Sequence, residues 1–271
     1  MLKTSGDLVK NIYKKRLENS RKGNFGKLLV IGGSKEYTGA PALVGLTALK
    51  AGCDLVSVVT PKRAADIIAS FSPNLITYPL KGDYLDREHF KPIEKIQADA
   101  IVFGNGLGEN SQKLCQEMWK IKKPCVVDGD ALKFIDRKLS PNFVLTPHAG
   151  EFGLMTGEKV PDNLEERKNF LKEYSGGVNC IVLLKGHIDL ISDGKEVWEN
   201  HTGNPYMTKA GTGDVLAGIC GALMSRGIKP LEAAKAAAFI SGSAGDLAAK
   251  KFGESLLATD VLEEIRNVIN L

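Results

Sequence analysis

The sequence predicts an α/β protein, a mainly parallel central sheet with helices on both faces. Three observations predict it. Six short runs rich in Val, Ile and Leu recur before residue 190, and strands apolar on both sides belong to a sheet covered on both faces. Longer stretches with apolar residues at helical spacing separate them, which is the rhythm of β-α-β units. After residue 211 the pattern stays helical to the end. At 271 residues and 43% hydrophobic, the chain can bury one large core. Residues 1–271 are therefore expected to form a single domain, with a short helical extension over about 1–24.

The elements follow in order. KLLVIGG (27–33) reads as a buried strand, and APALVGLTALKAG (40–52) as the helix after it. DLVSVVTP (54–61) and DAIVFGNG (99–106) are the next strands, SQKLCQEMWKIKK (111–123) is a helix, and PCVVDGD (124–130) and NFVLTPH (142–148) are strands. NLEERKNFLKEYS (163–175) has helical spacing and NCIVLLKG (179–186) is the sixth strand. HIDLISDGKEVWEN then reads as a hairpin turning at Asp193-Gly194. Three helices complete the chain: GDVLAGICGALMSRG, PLEAAKAAAFISGSAGDLAAKKF and ATDVLEEIRNVIN.

Composition excludes several function classes. The net charge of +4 arises from 36 basic and 32 acidic residues spread along the chain, too even for a nucleic-acid footprint. The basic run KKRLENSRKGN reads as a solvated helix face and loop. Five cysteines, odd in number and without CxxC spacing, sit mostly in apolar runs and behave as small core residues. No apolar leader with a small-residue cleavage site and no run of membrane-spanning length is present. A soluble, cytoplasmic protein without nucleic-acid or membrane partners is expected.

In open α/β sheets ligands bind beyond the carboxyl ends of the strands. Here those ends are polar and glycine-rich: GGS, GNGLG, DGD, TPHAGE and KGH. The stretch KAGTGDVLAG (209–218) adds three glycines and one carboxylate ahead of an apolar helix. Gly211, Thr212 and Gly213 can turn their backbone N–H groups into one concavity, reinforced by the helix dipole. The alternative is that the glycines only permit a tight turn while Asp214 caps the helix. A phosphate held by N–H groups gains nothing from a neighbouring carboxylate, since two anions repel. Asp214 is therefore expected to serve a hydroxyl, taking its proton as the oxygen attacks a terminal phosphoryl group. The helix dipole is expected to lower the pKa of Asp214 and keep it ionised.

The absence of GxxxxGK[ST] excludes a P-loop, and GNGLGE breaks the nicotinamide-binding GxGxxG pattern at Glu109. His148 leaves the sheet at the rim with Glu151 three residues on, where it can touch a ligand while Glu151 partners the helix dipole. Lys185 closes a hydrophobic strand beside Gly186, which permits close approach to the backbone. Asp128 and Asp130 can lie near a magnesium-bound phosphate or cap the helix from Ala131.

Taken together, KGNFGKLLVIGGSKEYTGAPAL, GNGLG, VVDGDAL, LTPHAGE, LLKGHIDLI and GNPYMTKAGTGDVLAG run from Lys22 to about Gly218. They resemble the ADP/ATP-dependent NAD(P)H-hydrate dehydratase family of the ribokinase-like superfamily. AGTGD alone marks the superfamily, and its combination with TPHAGE and YTGA is far more specific. The resemblance implies a hydro-lyase of metabolite repair. ADP, or ATP in some relatives, would phosphorylate the hydroxyl of an (S)-hydrate of NADH or NADPH with Mg2+ present. Phosphate would then leave and the normal dinucleotide return, with AMP as the other product of ADP. The resemblance makes Asp214 the base and Gly213, with Gly211, the holder of the transferred phosphoryl. Lys185, Gly186, His187, Ile188 and Asp189, again with Gly213, fall on the adenine-nucleotide side. Ala40, Gly106 and His148, with Asp214, become contacts to the hydrated dinucleotide, and Glu151 supports them or magnesium. A homotetramer is also implied.

One departure is visible, since Asn105 stands where the family usually has proline, in GPGLG. Many relatives carry a fused N-terminal epimerase domain. Only about twenty residues precede RKGNFG here, so the expectation is a chain paired with a separate NAD(P)H-hydrate epimerase. Two alternatives stand beside this reading. One is a small-molecule kinase of the same fold, acting on a hydroxymethylpyrimidine, thiazole or pyridoxal alcohol; such kinases tend to show Asn where His148 stands. The other is a non-catalytic nucleotide sensor, against which the intact Asp214 argues.

Overall fold

The structure is a computed structural model that describes residues 2–270. In chain order it opens with β1 (Leu2–Lys3), α1 (Gly6–Ile12), β2 (Lys27–Ile31), α2 (Gly39–Lys50), β3 (Leu55–Pro61), α3 (Lys62–Phe71) and β4 (Ile76–Leu80). The middle comprises α4 (Phe90–Glu94), β5 (Ala100–Phe103), α5 (Gln112–Met118), β6 (Cys125–Val127), β7 (Phe143–Leu145), α6 (Ala149–Thr156) and α7 (Leu164–Val178). Then come β8 (Ile181–Leu184), β9 (Asp189–Ser192), β10 (Val197–Asn200), α8 (Thr212–Ser225), α9 (Pro230–Phe252) and α10 (Ala258–Ile269).

The strands form one ten-stranded sheet in the order β1-β10-β9-β8-β7-β6-β5-β2-β3-β4. All neighbours from β4 to β8 are parallel, and β9 runs antiparallel to both β8 and β10. The expected mainly parallel sheet is present, with a hairpin at one side. Alternate strand residues point to opposite faces, so two cores result. Val30, Val58, Val102, Val126 and Val144 meet α2, α8, α9 and α10 on one face. Ile31, Phe103, Val127 and Leu145 meet α5, α6 and α7 on the other. All five cysteines are free and buried, as their apolar settings predicted.

Four departures from the sequence reading are visible. Among the described residues of the first 24 only Gly6–Ile12 is helical, and Leu2–Lys3 instead adds a strand alongside β10. The expected helical extension is thus an edge strand, one short helix and a loop. Strand β4 was not anticipated because Pro79 interrupts its apolar run, as an edge strand tolerates. The basic amphipathic α3 was also missed. The helix expected over 111–123 stops at Met118. Among the described residues, no helix is long and apolar enough to cross a membrane.

Helix α8 positions the site. Every residue from Val215 to Ser225 is buried, the pattern of a helix enclosed on all sides. Full burial of Val215, Ile219 and Leu223 is worth about 2 kcal/mol for each side chain. The first turn of this helix therefore has a rigid footing.

Candidate active site

The carboxyl ends of the parallel strands converge on four polar side chains. Asn105 follows β5, Asp128 follows β6, Lys185 follows β8, and Asp214 stands in the first turn of α8. The Asn105 amide nitrogen donates to Asp128 Oδ2 at 2.8 Å and to Asp214 Oδ1 at 2.6 Å. Asp128 Oδ1 accepts from Lys185 Nζ at 3.0 Å and from the Thr146 hydroxyl at 2.8 Å. Asp214 Oδ2 accepts no hydrogen bond among the described residues. Gly104 permits this convergence: with φ +122°, it approaches Asp128 so closely that any Cβ would collide with the Asp128 carbonyl.

The environment reverses the expected proton affinity of Asp214. Burial, and then the facing Asp128 carboxylate, push its pKa from the ordinary 3.8 to about 6, with Glu151 adding to the rise. The Asn105 hydrogen bond and the Lys185 charge oppose the shift without cancelling it. The dipole argument from sequence considered one helix, whereas desolvation and a second carboxylate arrive from elsewhere in the fold. Burial alone would depress the Lys185 ammonium, but Asp128 and Glu151 outweigh it and hold the group above the ordinary lysine value.

The turn before α8 provides the opposite polarity. Gly211, at φ +94°, is the N-cap, a conformation that glycine adopts without steric cost. The N–H groups of Gly211, Gly213 and Asp214 have no backbone or side-chain acceptor among the described residues. They lie where the helix dipole favours an anion. An added Cβ on Gly213 would stand 3.2 Å from Lys185 Nζ, so the free N–H groups and the ammonium share one space. Asp214 is not the N-cap, and the capping alternative for it falls away.

Beside this cluster lies a cavity of about 690 Å³. Its walls include His148, Lys185, Gly186 and His187 from the strand ends, 202–209 from the loop before α8, and Ser241 and Gly242 of α9. The size suits a ligand of several hundred daltons.

A family model described as NAD(P)H-hydrate dehydratase matches residues 28–267. The chain belongs to the NAD(P)H-hydrate dehydratase family. It is 41% identical over 262 residues to the bifunctional NAD(P)H-hydrate repair enzyme Nnr of Pyrobaculum aerophilum, covering 94% of this chain and 52% of that protein. The chain thus spans about half the length of the bifunctional curated relatives it matches. It is 37% identical over 271 residues to the ADP-dependent (S)-NAD(P)H-hydrate dehydratase of Nitrosopumilus maritimus, covering 97% of this chain and 94% of that one. The ADP/ATP-dependent NAD(P)H-hydrate dehydratase of Bacillus subtilis, co-crystallised with ATP/Mg2+, superposes with a TM-score of 0.84 at 26% identity, over 99% of this chain and 98% of that structure. The ribokinase-like fold expected from sequence is therefore the fold observed.

Within this dehydratase-family framework the sequence-predicted residues fall into three groups. Lys185, Gly186, His187, Asp189 and Gly213 line the cavity with His148. Asp189 also shapes the turn, accepting from Gly186 N–H at 3.0 Å and from Asn200 at 3.0 Å. Ala40 and Gly106 form a second flank, on the Asn105 side of Asp214. An added Cβ on Gly106 would lie 3.5 Å from Ala40 Cβ and 2.8 Å from Tyr37 Cβ. Ile188 does not join the cavity wall. It stands in the bend over 186–188 ahead of β9, and the twist of that short loop sends its side chain to the core on the far face.

His148 and Glu151 form a reciprocal cap on α6. His148 Nδ1 accepts from Gly150 N–H at 3.0 Å and Glu151 N–H at 3.2 Å, while Glu151 Oε2 accepts from His148 N–H at 2.8 Å. That pattern leaves Nδ1 without a proton and puts the ring N–H on Nε2. Glu151 lies 3.8 Å from Lys185. Among the described residues no three His, Cys, Asp or Glu side chains converge as a metal site. These residues do not fit a cation held by protein alone; Glu151 engages Oε2 in the cap, and its support of magnesium stays an expectation from the family resemblance. The donor set is compatible with a magnesium ion that arrives on substrate phosphates, which needs few carboxylates from the protein.

The sequence reading left Asp128 and Asp130 between two roles and did not single out the wall from Thr202 to Lys209. Asp128 is a buried acceptor facing inward; its side chain does not cap the 3-10 turn Gly129–Phe134. Asp130 faces away, accepting from Gly108 N–H at 2.9 Å and pairing with Lys133. The wall from Thr202 to Lys209 was quoted only as part of a motif. Its signal was Asn204-Pro205, where the Asn204 side chain caps a short turn by accepting from Tyr206 N–H at 3.2 Å.

Proposed function

We propose that the chain is an ADP-dependent (S)-NAD(P)H-hydrate dehydratase, with ADP or ATP as phosphoryl donor. The observation that carries this reading is the pairing of an unengaged carboxylate oxygen, Asp214 Oδ2, with free N–H groups at the start of α8 and the half-buried Lys185 beside them. In the proposed reaction Asp214 takes the proton of the hydrate hydroxyl as its oxygen attacks the β-phosphorus of ADP. The bond between that phosphorus and the bridging oxygen breaks, and AMP departs with the bridging oxygen. The N–H groups of Gly211, Gly213 and Asp214, with Lys185, stabilise the charge on the migrating phosphoryl group. The C–O bond of the phosphorylated hydrate then breaks with help from the ring nitrogen lone pair. Loss of a proton from the adjacent ring carbon restores the double bond and yields NAD(P)H and inorganic phosphate.

The cavity beside Lys185, His187 and Gly213 is assigned to the adenine nucleotide, and the flank of Ala40 and Gly106 to the hydrated dinucleotide. His148 stands at the rim between them. Magnesium belongs to the nucleotide substrate. A pKa near 6 for Asp214 supports the base role, since a base poised near neutrality is both ionised and able to hold a proton. The family resemblance further supports a homo-oligomer, tetrameric in this reading, acting in the cytoplasm together with an NAD(P)H-hydrate epimerase activity. The test is to mix the protein with ADP, Mg2+ and NADH hydrate and follow the reduced-nicotinamide absorbance together with phosphate. Recovery of absorbance with equimolar AMP and phosphate is expected. A stable phosphorylated pyrimidine, thiazole or pyridoxal in a parallel assay, with no absorbance recovered, would mark a kinase instead.

A further inference from the structure

We propose that Asn105 is a positioning residue: its side-chain NH2 holds the Asp128 and Asp214 carboxylates side by side, fixing Asp214 Oδ1 and leaving Oδ2 as the oxygen that receives the substrate proton. The inference rests on the reading of Asp214 as the base and deepens it.

Four observations converge on this residue. One amide nitrogen bridges both carboxylates, at 2.8 Å and 2.6 Å, and bonds to ionised acceptors are the strong ones. Asn105 is only 2% exposed, so water does not substitute for the bridge. Its Oδ1 is buried without a hydrogen-bond partner among the described residues. An amide oxygen left bare inside a protein is unfavourable. Rotating the amide would aim that oxygen at two carboxylates and leave the NH2 without acceptors, so the carboxylates dictate the orientation. Finally, the Asn105 backbone N–H has no acceptor among the described residues. The loop itself does not require a donor there, in keeping with the proline usual at this position in the family resembled. The side chain is what this sequence has added.

The charged groups that face Asp214 are Asp128 from the end of β6, Lys185 from the end of β8 and Glu151 from α6. Two are negative and one positive. Without the amide bridge the two aspartates confront each other directly. The proton affinity of Asp214 then rises, because the bridge is one of the two influences that hold it down. A charge-assisted bond on this scale corresponds to about one pH unit.

The experiment compares wild type, Asn105→Ala and Asn105→Pro in two measurements. The first is the pH profile of kcat with NADH hydrate, ADP and Mg2+. The second is the titration of the Asp214 carboxyl carbon by 13C NMR in the free protein, assigned with Asp214→Asn. Both variants are expected to shift the Asp214 titration and the acid limb of kcat upward by about one pH unit. Turnover would fall roughly fivefold at pH 6 and stay close to wild type at pH 8.5. A loss of equal size at every pH, with the NMR titration unmoved, overturns the proposal and makes Asn105 a loop residue. Should one variant fail to fold, the other carries the same expectation through both measurements. If Asp214→Asn keeps wild-type turnover, the base assignment fails instead, while the NMR shift still reports on the bridge.

Discussion

Replacing Asp214 by Asn should abolish turnover and yet make the protein harder to melt at neutral pH. The native carboxyl titrates at about 6 against an ordinary 3.8, a rise of about two units. At 1.36 kcal/mol per unit, the ionised native side chain costs on the order of 3 kcal/mol. The sign follows from the two titrations. Below pH 3.8 the carboxyl is protonated in both folded and unfolded chains, and the penalty is absent. Between pH 4 and 6 the unfolded chain ionises first, and the penalty grows. Above pH 6 it is complete and constant. Asparagine carries no such penalty, and its side-chain oxygen can still accept the Asn105 hydrogen bond. For a chain of this size about 1 kcal/mol moves Tm by 2–4 °C, so the gain at pH 7.5 should be several degrees. Scanning calorimetry from pH 4.5 to 8 measures it, with absorbance recovery from NADH hydrate as the activity readout. Wild-type turnover should itself fall to half near pH 6. A variant that melts at or below wild type at pH 7.5, or one whose gain is the same at pH 4.5, would refute the reasoning.

Three further outcomes are expected. Lys185→Met leaves Asp128, with a side chain only 5% exposed, as a buried charge without its cation; stability should drop by about 3 kcal/mol in urea unfolding, with turnover lost. His148→Ala removes the acceptor of two helix N–H groups and should lower stability by about 1 kcal/mol, seen as a lower Tm together with a higher KM for the hydrate. Gly213→Ala places a methyl group 3.2 Å from Lys185 Nζ, in the space assigned to the migrating phosphoryl. Its kcat should fall roughly 10- to 100-fold while Tm shifts little, and an unchanged kcat would move the phosphoryl elsewhere.

The location of the site was legible because it follows from topology. A strand such as KLLVI, apolar at every position after Lys27, announces a parallel sheet, and a parallel sheet puts its ligand at the carboxyl ends. Glycine and polar residues there, such as Gly104 and Lys185, could then be read directly. The register of Ile188 and the strand around Pro79 were not, since one turns on the twist of a short loop and the other on an edge that permits proline. The chemistry of the pocket was least legible. The bond between Asn105 and Asp214 joins residues separated by 109 positions. No local pattern encodes that meeting, and the proton affinity of Asp214 depends on it.

Helix α8 presents no side of Val215–Ser225 to solvent, so the coordinates of its reactive first turn are fixed by two layers of packed side chains. The wall made by 202–209 is tied into the same frame: Met207 packs against the core, Gly203 N–H donates to Asp246 of α9 at 3.1 Å, and the Thr212 hydroxyl of α8 donates to the Met207 and Lys209 carbonyls at 2.9 and 3.0 Å. A laboratory seeking a new ligand preference would therefore vary side chains of that wall while sparing Thr202, Gly203 and Met207, because a change in its backbone would also move the first turn of α8.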